Sequence, residues 1–202
     1  MRFSVVFSVT VIVLVCLAAG DENDCKPEIK FSGKDVYQFD LTGLRHKKGQ
    51  IDYMCMDGES NSFYFNVCGE LSSMNKTGCE GAAVCQETPT GVIFNAGTFV
   101  SQKFEADYES GPGRGIIIHY GNGTSCSDDN NRHTMIFIEC DETADIPVIQ
   151  PAETENCSFA FHLTSKYGCG KKIGGPNSSS NSSNVKQICT GLIVFIMLLS
   201  LL

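Results

Sequence analysis

Hydrophobic and polar residues alternate over short stretches of this 202-residue chain, with turn-forming residues between them. Residues 134–139 are apolar and largely β-branched, which predicts a buried strand, and residues 158–164 alternate, which predicts another. Further strands are predicted at residues 36–41, 51–54, 62–68, 82–86, 91–94, 98–99, 103–108 and 116–120. No stretch before residue 188 keeps the apolar period of about 3.6 residues that a helix needs. The pattern therefore predicts an all-β domain, either a sandwich or a flattened barrel.

Both ends of the chain are apolar and predict targeting segments. Residues 1–20 join one arginine to an apolar run and a small-residue site, which is typical of a cleaved secretory signal peptide. Residues 188–202 are uncharged but shorter than the about 20 residues of a membrane-spanning helix. Because a polar Ser/Asn-rich linker at 171–187 precedes them, they match either a lipid-anchor (GPI) addition signal or a short transmembrane helix. The domain at 21–170 is therefore expected on the lumenal or extracellular face of a membrane in the secretory pathway or at the cell surface.

Charge and motif content narrow the function. The chain has 23 acidic and 15 basic residues, a net charge of −8, and no basic cluster interleaved with aromatic residues. Nucleic-acid binding is therefore not expected. The sequence has no Ser-His-Asp signature, phosphate loop or metal-ligand motif, so we expect neither an enzyme nor a cofactor.

Cysteine content predicts an oxidised domain. The chain has 11 cysteines, and the nine outside the two apolar ends predict disulfides with one thiol left over. Zinc binding is not expected, because no two cysteines have the close spacing of a zinc knuckle. Sequons for N-glycosylation, which predict exposed backbone, occur at Asn75, Asn122, Asn156, Asn177 and Asn181.

Several short motifs follow one another in an order that carries a resemblance. They are Tyr-Phe-Asn-Val-Cys at 64–68, Ala-Val-Cys-Gln at 83–86, Gly-Thr-Phe at 97–99, Ile-Ile-His-Tyr at 117–120, Gly-Thr-Ser-Cys at 123–126, Arg-His-Thr at 132–134, Phe-Ile-Glu-Cys at 137–140 and Cys-Ser-Phe at 157–159. In this order they resemble the mannose 6-phosphate receptor homology domain, a lectin fold, from Cys25 to about Cys169. The resemblance implies a flattened β-barrel of two antiparallel sheets with a sugar site at one end.

The resemblance also implies a carbohydrate site built from a Gln, an Arg, a Glu and a Tyr. Gln86 and Arg132 match the first two, and Glu153 fits the third, with Glu155 as the alternative because spacing varies there. Phe159 stands at the tyrosine position and lacks the hydroxyl. Since a guanidinium and a carboxylate can hold vicinal hydroxyls by charge-assisted hydrogen bonds, the implied ligands are mannose-bearing glycoproteins.

Two alternatives stay open at the site. From the residues alone, Arg132 could pair with Asp128 or Asp129, and Gln86 could satisfy a strand edge. Gly123 takes the position of an aspartate in the cation-assisted member of the family, so an unphosphorylated mannose-rich glycan is the expected ligand.

Four disulfides are implied by the same resemblance. They are Cys25–Cys68, Cys79–Cys85, Cys126–Cys157 and Cys140–Cys169, which leaves Cys55 as the odd thiol. Two functions follow: a lectin-like receptor that binds or sorts glycoproteins, or an interaction module of vesicle traffic with the same fold and no sugar binding. Some membrane proteins of autophagy and vesicle traffic also resemble this pattern, with a longer span and a cytosolic tail.

Overall fold

The computed structural model describes residues 25–31, 33–73, 77–127 and 130–174. The predicted signal peptide, the linker from residue 175 onward and the apolar tail lie outside these ranges, as do Asn75, Asn177 and Asn181. Within the described ranges, no helix has the length and apolar character needed to cross a membrane.

The described residues form an all-β domain, as the sequence predicts. Its strands are β1 (Glu28–Lys30), β2 (Val36–Gln38), β3 (Tyr53–Met56), β4 (Ser62–Phe65), β5 (Ala82–Glu87), β6 (Ile93–Thr98), β7 (Lys103–Ala106), β8 (Gly115–Tyr120), β9 (Ser125–Ser127), β10 (Asn130–Asn131), β11 (His133–Cys140), β12 (Val148–Ile149), β13 (Glu153–Glu155), β14 (Ser158–Ser165) and β15 (Lys171–Gly174). Short 3-10 helices span Thr42–Leu44, Phe99–Ser101 and Lys166–Gly168.

Two larger sheets carry the core. One is four-stranded and antiparallel, in the order β3-β4-β5-β6. The other is six-stranded, in the order β12-β14-β11-β8-β7, with β13 also paired to β14. Strands β1, β2 and β15 form a third sheet, and β9 pairs with β10. Over the described residues the sheets do not close into a barrel, so the sandwich describes the domain better than the barrel does.

One strand pair departs from the expected antiparallel arrangement. Strands β11 and β14 run parallel, in a register from His133 opposite Ser158 to Cys140 opposite Ser165. Residues 141–157 connect them and contribute the edge strands β12 and β13. Parallel strands cannot be joined by a tight turn and require a long crossover such as this one.

The core lies between the two larger sheets and is rich in phenylalanine. The Phe63 ring packs against Phe159 and Phe161 of the opposite sheet, with centroids 4.9 and 5.3 Å apart. Phe65 packs on Phe161 at 5.1 Å. The fully buried Tyr120 hydroxyl accepts a hydrogen bond from the Cys68 amide at 3.0 Å, which links the end of β8 to the segment after β4.

Four disulfides hold the rim of the domain. They are Cys25–Cys68, Cys79–Cys85, Cys126–Cys157 and Cys140–Cys169, the pairs that the resemblance implies. Cys55 is free and buried. Burial, together with the charge of Asp57, raises the pKa of the Cys55 thiol to about 12, so this thiol is protonated and inert at neutral pH.

Two predicted boundaries were wrong. The domain continues past residue 170, because Lys171 and Lys172 pair with Gln38 and Tyr37 of β2. The two short strands predicted at 91–94 and 98–99 are largely one strand, β6, and Phe99 begins a 3-10 turn. In both places strand pairing, which is not a local property, sets the boundary.

Candidate functional site

Gln86 belongs to a row of side chains that crosses the four-stranded sheet. It stands opposite Phe63 of β4 and opposite Phe94 of β6. Paired residues project from the same face of a sheet, and Phe63 packs into the core, so the whole row faces inward. Gln86 is only 8% exposed, which makes its amide a desolvated and therefore oriented hydrogen-bonding group.

Arg132 reaches this row from the single residue between β10 and β11, directly before β11 of the six-stranded sheet. Its Nε donates to the Oε1 of Gln86 at 3.2 Å. Its Nη1 donates to the carbonyls of Ser125 at 2.9 Å and Thr124 at 3.4 Å. The guanidinium carbon lies 3.9 Å from the centre of the Phe94 ring, a cation–π contact. Arg132 is therefore held on three sides.

Partial burial affects the charge of this arginine without removing it. Desolvation lowers the pKa of the Arg132 guanidinium from its usual value. An arginine still stays charged at any physiological pH. Among the described residues, the hydrogen bonds of Arg132 use its Nε and Nη1.

The backbone beside Arg132 comes close enough to require a glycine. Gly123 donates from its amide to the Arg132 carbonyl at 3.0 Å, and the Arg132 amide donates to the Thr124 carbonyl at 3.1 Å. A Cβ on Gly123 would lie 2.5 Å from the Asn95 carbonyl oxygen and 2.6 Å from that of Arg132. The residue at position 123 is a glycine, and the backbone around it leaves no space for the side chain of an aspartate.

Phe159 lies in the core close to this site but is not part of its polar surface. Its side chain is 2% exposed and packs on Phe63, the neighbour of Gln86 in the inward-facing row. Thr134, opposite Phe159 on β11, donates from its hydroxyl to the Ala96 carbonyl of β6 at 2.9 Å and links the two sheets.

Glu153 and Glu155 lie on the other side of the six-stranded sheet. They stand opposite Ala160 and Ser158, which alternate with the inward-facing Phe159. Both glutamates are exposed and line a surface depression on the outer face. In the described part of the chain, neither forms an ion pair with Arg132. The structure therefore brings together Gln86 and Arg132, with Phe159 nearby, but not the expected glutamate.

Two contributions were missed from sequence, namely the Phe94 ring beneath the guanidinium and the steric requirement for a glycine at position 123. The position of Phe94 could have been found from the hairpin between β5 and β6. The turn of this hairpin is closed by a hydrogen bond from the Gly91 amide to the Thr88 carbonyl. Counting outward from that turn would have placed Phe94 opposite Gln86. The steric requirement at Gly123 has no comparable signal. It depends on the approach of the Asn95 and Arg132 carbonyl oxygens, which only the folded chain brings together.

Two of the predicted sequons lie in the described ranges. Asn122 and Asn156 are both exposed and both have positive φ, 55° and 53°. Asparagine tolerates this conformation better than most residues, which explains its place in both turns. Over the described residues, no group of three or more His, Cys, Asp or Glu side chains is arranged to hold a metal ion.

Comparison with known proteins identifies the family. Residues 8–202 match the family model described as autophagy-related protein 27. The chain belongs to the autophagy-related protein 27 family. Members of this family resemble the mannose 6-phosphate receptor homology domain, which confirms the resemblance read from the ordered motifs.

Several relatives and solved structures are similar to this chain. The human cation-independent mannose-6-phosphate receptor is 25% identical over 141 residues, which are 66% of this chain but 5% of that receptor. Domain 11 of chicken IGF2R matches with a TM-score of 0.54 and 23% identity, over 73% of this chain and 93% of that domain. Domain 11 of the echidna receptor matches with a TM-score of 0.49 and 20% identity, over 74% of this chain and 97% of that domain. These similarities support the all-β fold, and the chain spans only about 5% of the length of the curated receptor that it matches.

Proposed function

We propose that this domain binds mannose-type N-glycans of glycoproteins and acts as a receptor or sorting module. The observation that carries the proposal is the contact between the amide of Gln86, on β5, and the guanidinium of Arg132, directly before β11. The relationship to a mannose-6-phosphate receptor supports it. We infer that the glycan is unphosphorylated, because Gly123 stands where the cation-assisted member of the resembled family has an aspartate.

The contact suits a sugar because both partners are fixed before a ligand arrives. Four contacts hold Arg132 in place, so little side-chain entropy remains to be lost on binding. Its Nη2 offers a charge-assisted donor and the Gln86 amide offers a neutral group, which together can grip adjacent hydroxyls. With no tyrosine hydroxyl and no glutamate beside them, we expect a monosaccharide dissociation constant on the order of millimolar.

The test compares two arginine variants of the full chain on a glycan array. Arg132→Ala removes the proposed donor, whereas Arg114→Ala removes an exposed arginine that lies between other strands. We expect high-mannose glycans to bind the wild type and Arg114→Ala alike, and to bind Arg132→Ala at least tenfold more weakly, which corresponds to about 1.4 kcal/mol or more. Equal binding to both variants would remove this site from consideration.

A second candidate function is protein interaction in vesicle traffic without sugar binding. Phe159 favours it, because a buried phenylalanine replaces the tyrosine hydroxyl of the lectin site. The same array separates the candidates when Phe159→Tyr is added. Silence on mannose from the wild type and from Phe159→Tyr would support the second candidate and contradict the first.

We also infer that the domain faces the lumen or the cell exterior and is attached to a membrane through residues 188–202. Four disulfides support an oxidising compartment. Release from intact cells by a phosphatidylinositol-specific phospholipase would indicate a lipid anchor at the tail. Retention on the same cells would indicate a short transmembrane helix.

A further inference from the structure

The outer face of the six-stranded sheet carries a depression that the carbohydrate site does not use. It has a volume of about 1110 Å³. Its floor is formed by four half-buried apolar side chains from β8, β11 and β14, namely Ile117, Met135, Phe137 and Ala160. Strand register makes the floor continuous, since Met135 stands opposite Ala160 and Phe137 stands opposite Ile117. We call this surface the outer trough.

Acidic side chains form both walls of the outer trough. Glu153 and Glu155 of β13 stand on one side. Glu105 and Glu109, from β7 and the loop after it, stand on the other, and Glu139 lies on β11 between them. No lysine or arginine belongs to the lining in the described part of the chain. The walls therefore present one sign of charge around an apolar floor.

Two histidines of this face lie beside glutamates of the trough, and Lys103 stands opposite one of them, His119, on the neighbouring strand. His119 Nε2 lies 2.9 Å from a carboxylate oxygen of Glu105, and His162 Nδ1 lies 3.8 Å from one of Glu139. The His162 ring also stacks on Phe137, with centroids 4.7 Å apart. Neither of these two histidines contacts Glu153 or Glu155. The exposed His133 stands opposite Ser158, the residue that also pairs with Glu155, and is the nearest histidine in register with the β13 wall.

Charge and polarity together define what can occupy the outer trough. An acidic or neutral polar segment would leave the glutamates of the walls without cationic partners and the apolar floor exposed to water. A second copy of this chain is disfavoured by its net charge of −8. A segment with Lys or Arg on both sides of apolar side chains satisfies both features, because complementary charge at a rim and apolar contact at the centre are the common plan of protein interfaces.

We propose that the outer trough is a docking surface for a basic, amphipathic segment of a partner protein. The trough lies on the opposite face of its sheet from Phe159 and the core, and it shares no residue with the Gln86–Arg132 contact. The proposal therefore does not depend on sugar binding. It also gives Glu153 and Glu155 a role in partner binding, whereas the lectin resemblance implied that one of them belongs to the carbohydrate site.

The test uses a random peptide display library selected on the immobilised full chain. We expect the enriched peptides to carry several Lys or Arg residues around apolar ones. Fluorescence anisotropy with one labelled enriched peptide then gives dissociation constants for each variant.

Matched variants make the measurement specific. The double variant Glu59→Gln, Glu80→Gln removes the same charge from two exposed positions outside the trough, and we expect its dissociation constant to stay within twofold of the wild type. The Glu153→Gln, Glu155→Gln variant should bind at least tenfold more weakly, and Met135→Ser, which alters the floor, should also weaken binding. Arg132→Ala should bind the peptide normally, which separates this site from the carbohydrate site.

Three results would overturn the proposal. The first is that no peptide is enriched, and the second is that the enriched peptides lack basic residues. The third is that Glu59→Gln, Glu80→Gln weakens binding as much as Glu153→Gln, Glu155→Gln does, because the peptide would then respond only to total charge.

Discussion

At the scale of single residues, the candidate sugar site depends on positions that hold Arg132 as much as on Arg132 itself. The guanidinium rests on Phe94 and donates to Gln86. The loop carbonyls that it also uses belong to Thr124 and Ser125, directly after Gly123. A change at Gly123 should therefore act on the arginine through the backbone.

Gly123→Ala provides a test of this dependence. Its Cβ would lie 2.5 and 2.6 Å from two carbonyl oxygens, neither of which is the end of a flexible side chain. We expect a loss of about 1–3 kcal/mol in the free energy of unfolding, together with weaker glycan binding. Gly121→Ala is the control, because its Cβ would meet only Ser101 Oγ at 3.9 Å. Urea unfolding and the glycan array check both, and equal stability of the two variants would contradict the steric argument.

Asp52 is a second residue whose environment dictates its behaviour. Its carboxylate accepts hydrogen bonds from the amides of Ser72 and Ser73 at 2.7 and 2.8 Å, and from both hydroxyls at 2.7 Å. Burial alone would raise the pKa of Asp52, but these bonds outweigh it and the pKa is lowered. The folded state therefore favours the charged form more than the unfolded chain does.

The pH dependence of Asp52→Asn follows from this direction. Stability from Asp52 is fully present above the unfolded-state pKa of about 3.9 and is lost as the pH falls through the lower folded-state pKa. The asparagine amide turns a donor toward the serine donors, so we expect a loss of about 1–3 kcal/mol at pH 7. The difference from the wild type should shrink below about pH 4. Urea unfolding at pH 7 and pH 3 checks this, and a constant difference would contradict it.

At the scale of elements, the sequence predicted strands where local pattern and burial agree. Strands β8, β11 and β14 are β-branched or alternating and were found. Strand β13, Glu-Thr-Glu, is exposed throughout and has no such signal. It exists because β14 offers it an edge, and that pairing turns its glutamates to the outer face.

The same contrast between local pattern and long-range strand pairing applies to the candidate site. The contact between Gln86 and Arg132 agrees with the ordered motifs, because Gln86 lies in β5 and Arg132 directly precedes β11, and both strands have a local pattern. The glutamate could not be predicted, because a shift of one residue in a short polar strand moves its side chain to the other face. The parallel pairing of β11 with β14 was equally hidden, since alternation is the same for either direction.

At the scale of the whole molecule, charge and covalent links are unevenly distributed. Three lysines lie on β1 and β15, whereas the outer trough carries only acidic walls. The disulfides are uneven as well, because Cys79–Cys85 closes a loop of 6 residues and Cys140–Cys169 one of 29. The long link joins the end of β11 to the segment that leads into β15, and thus connects two sheets.

Removal of these two disulfides should therefore have unequal effects. If a disulfide stabilises mainly by restricting the unfolded chain, its contribution grows with the logarithm of loop length. We expect roughly 3.5 kcal/mol from Cys140–Cys169 and roughly 2 kcal/mol from Cys79–Cys85. The double variants Cys140→Ala, Cys169→Ala and Cys79→Ala, Cys85→Ala are matched in chemistry, and both keep Cys55. Urea unfolding of each measures the loss, and a larger loss from the short loop would mean that packing around the buried Cys85, rather than chain entropy, decides how the domain is held together.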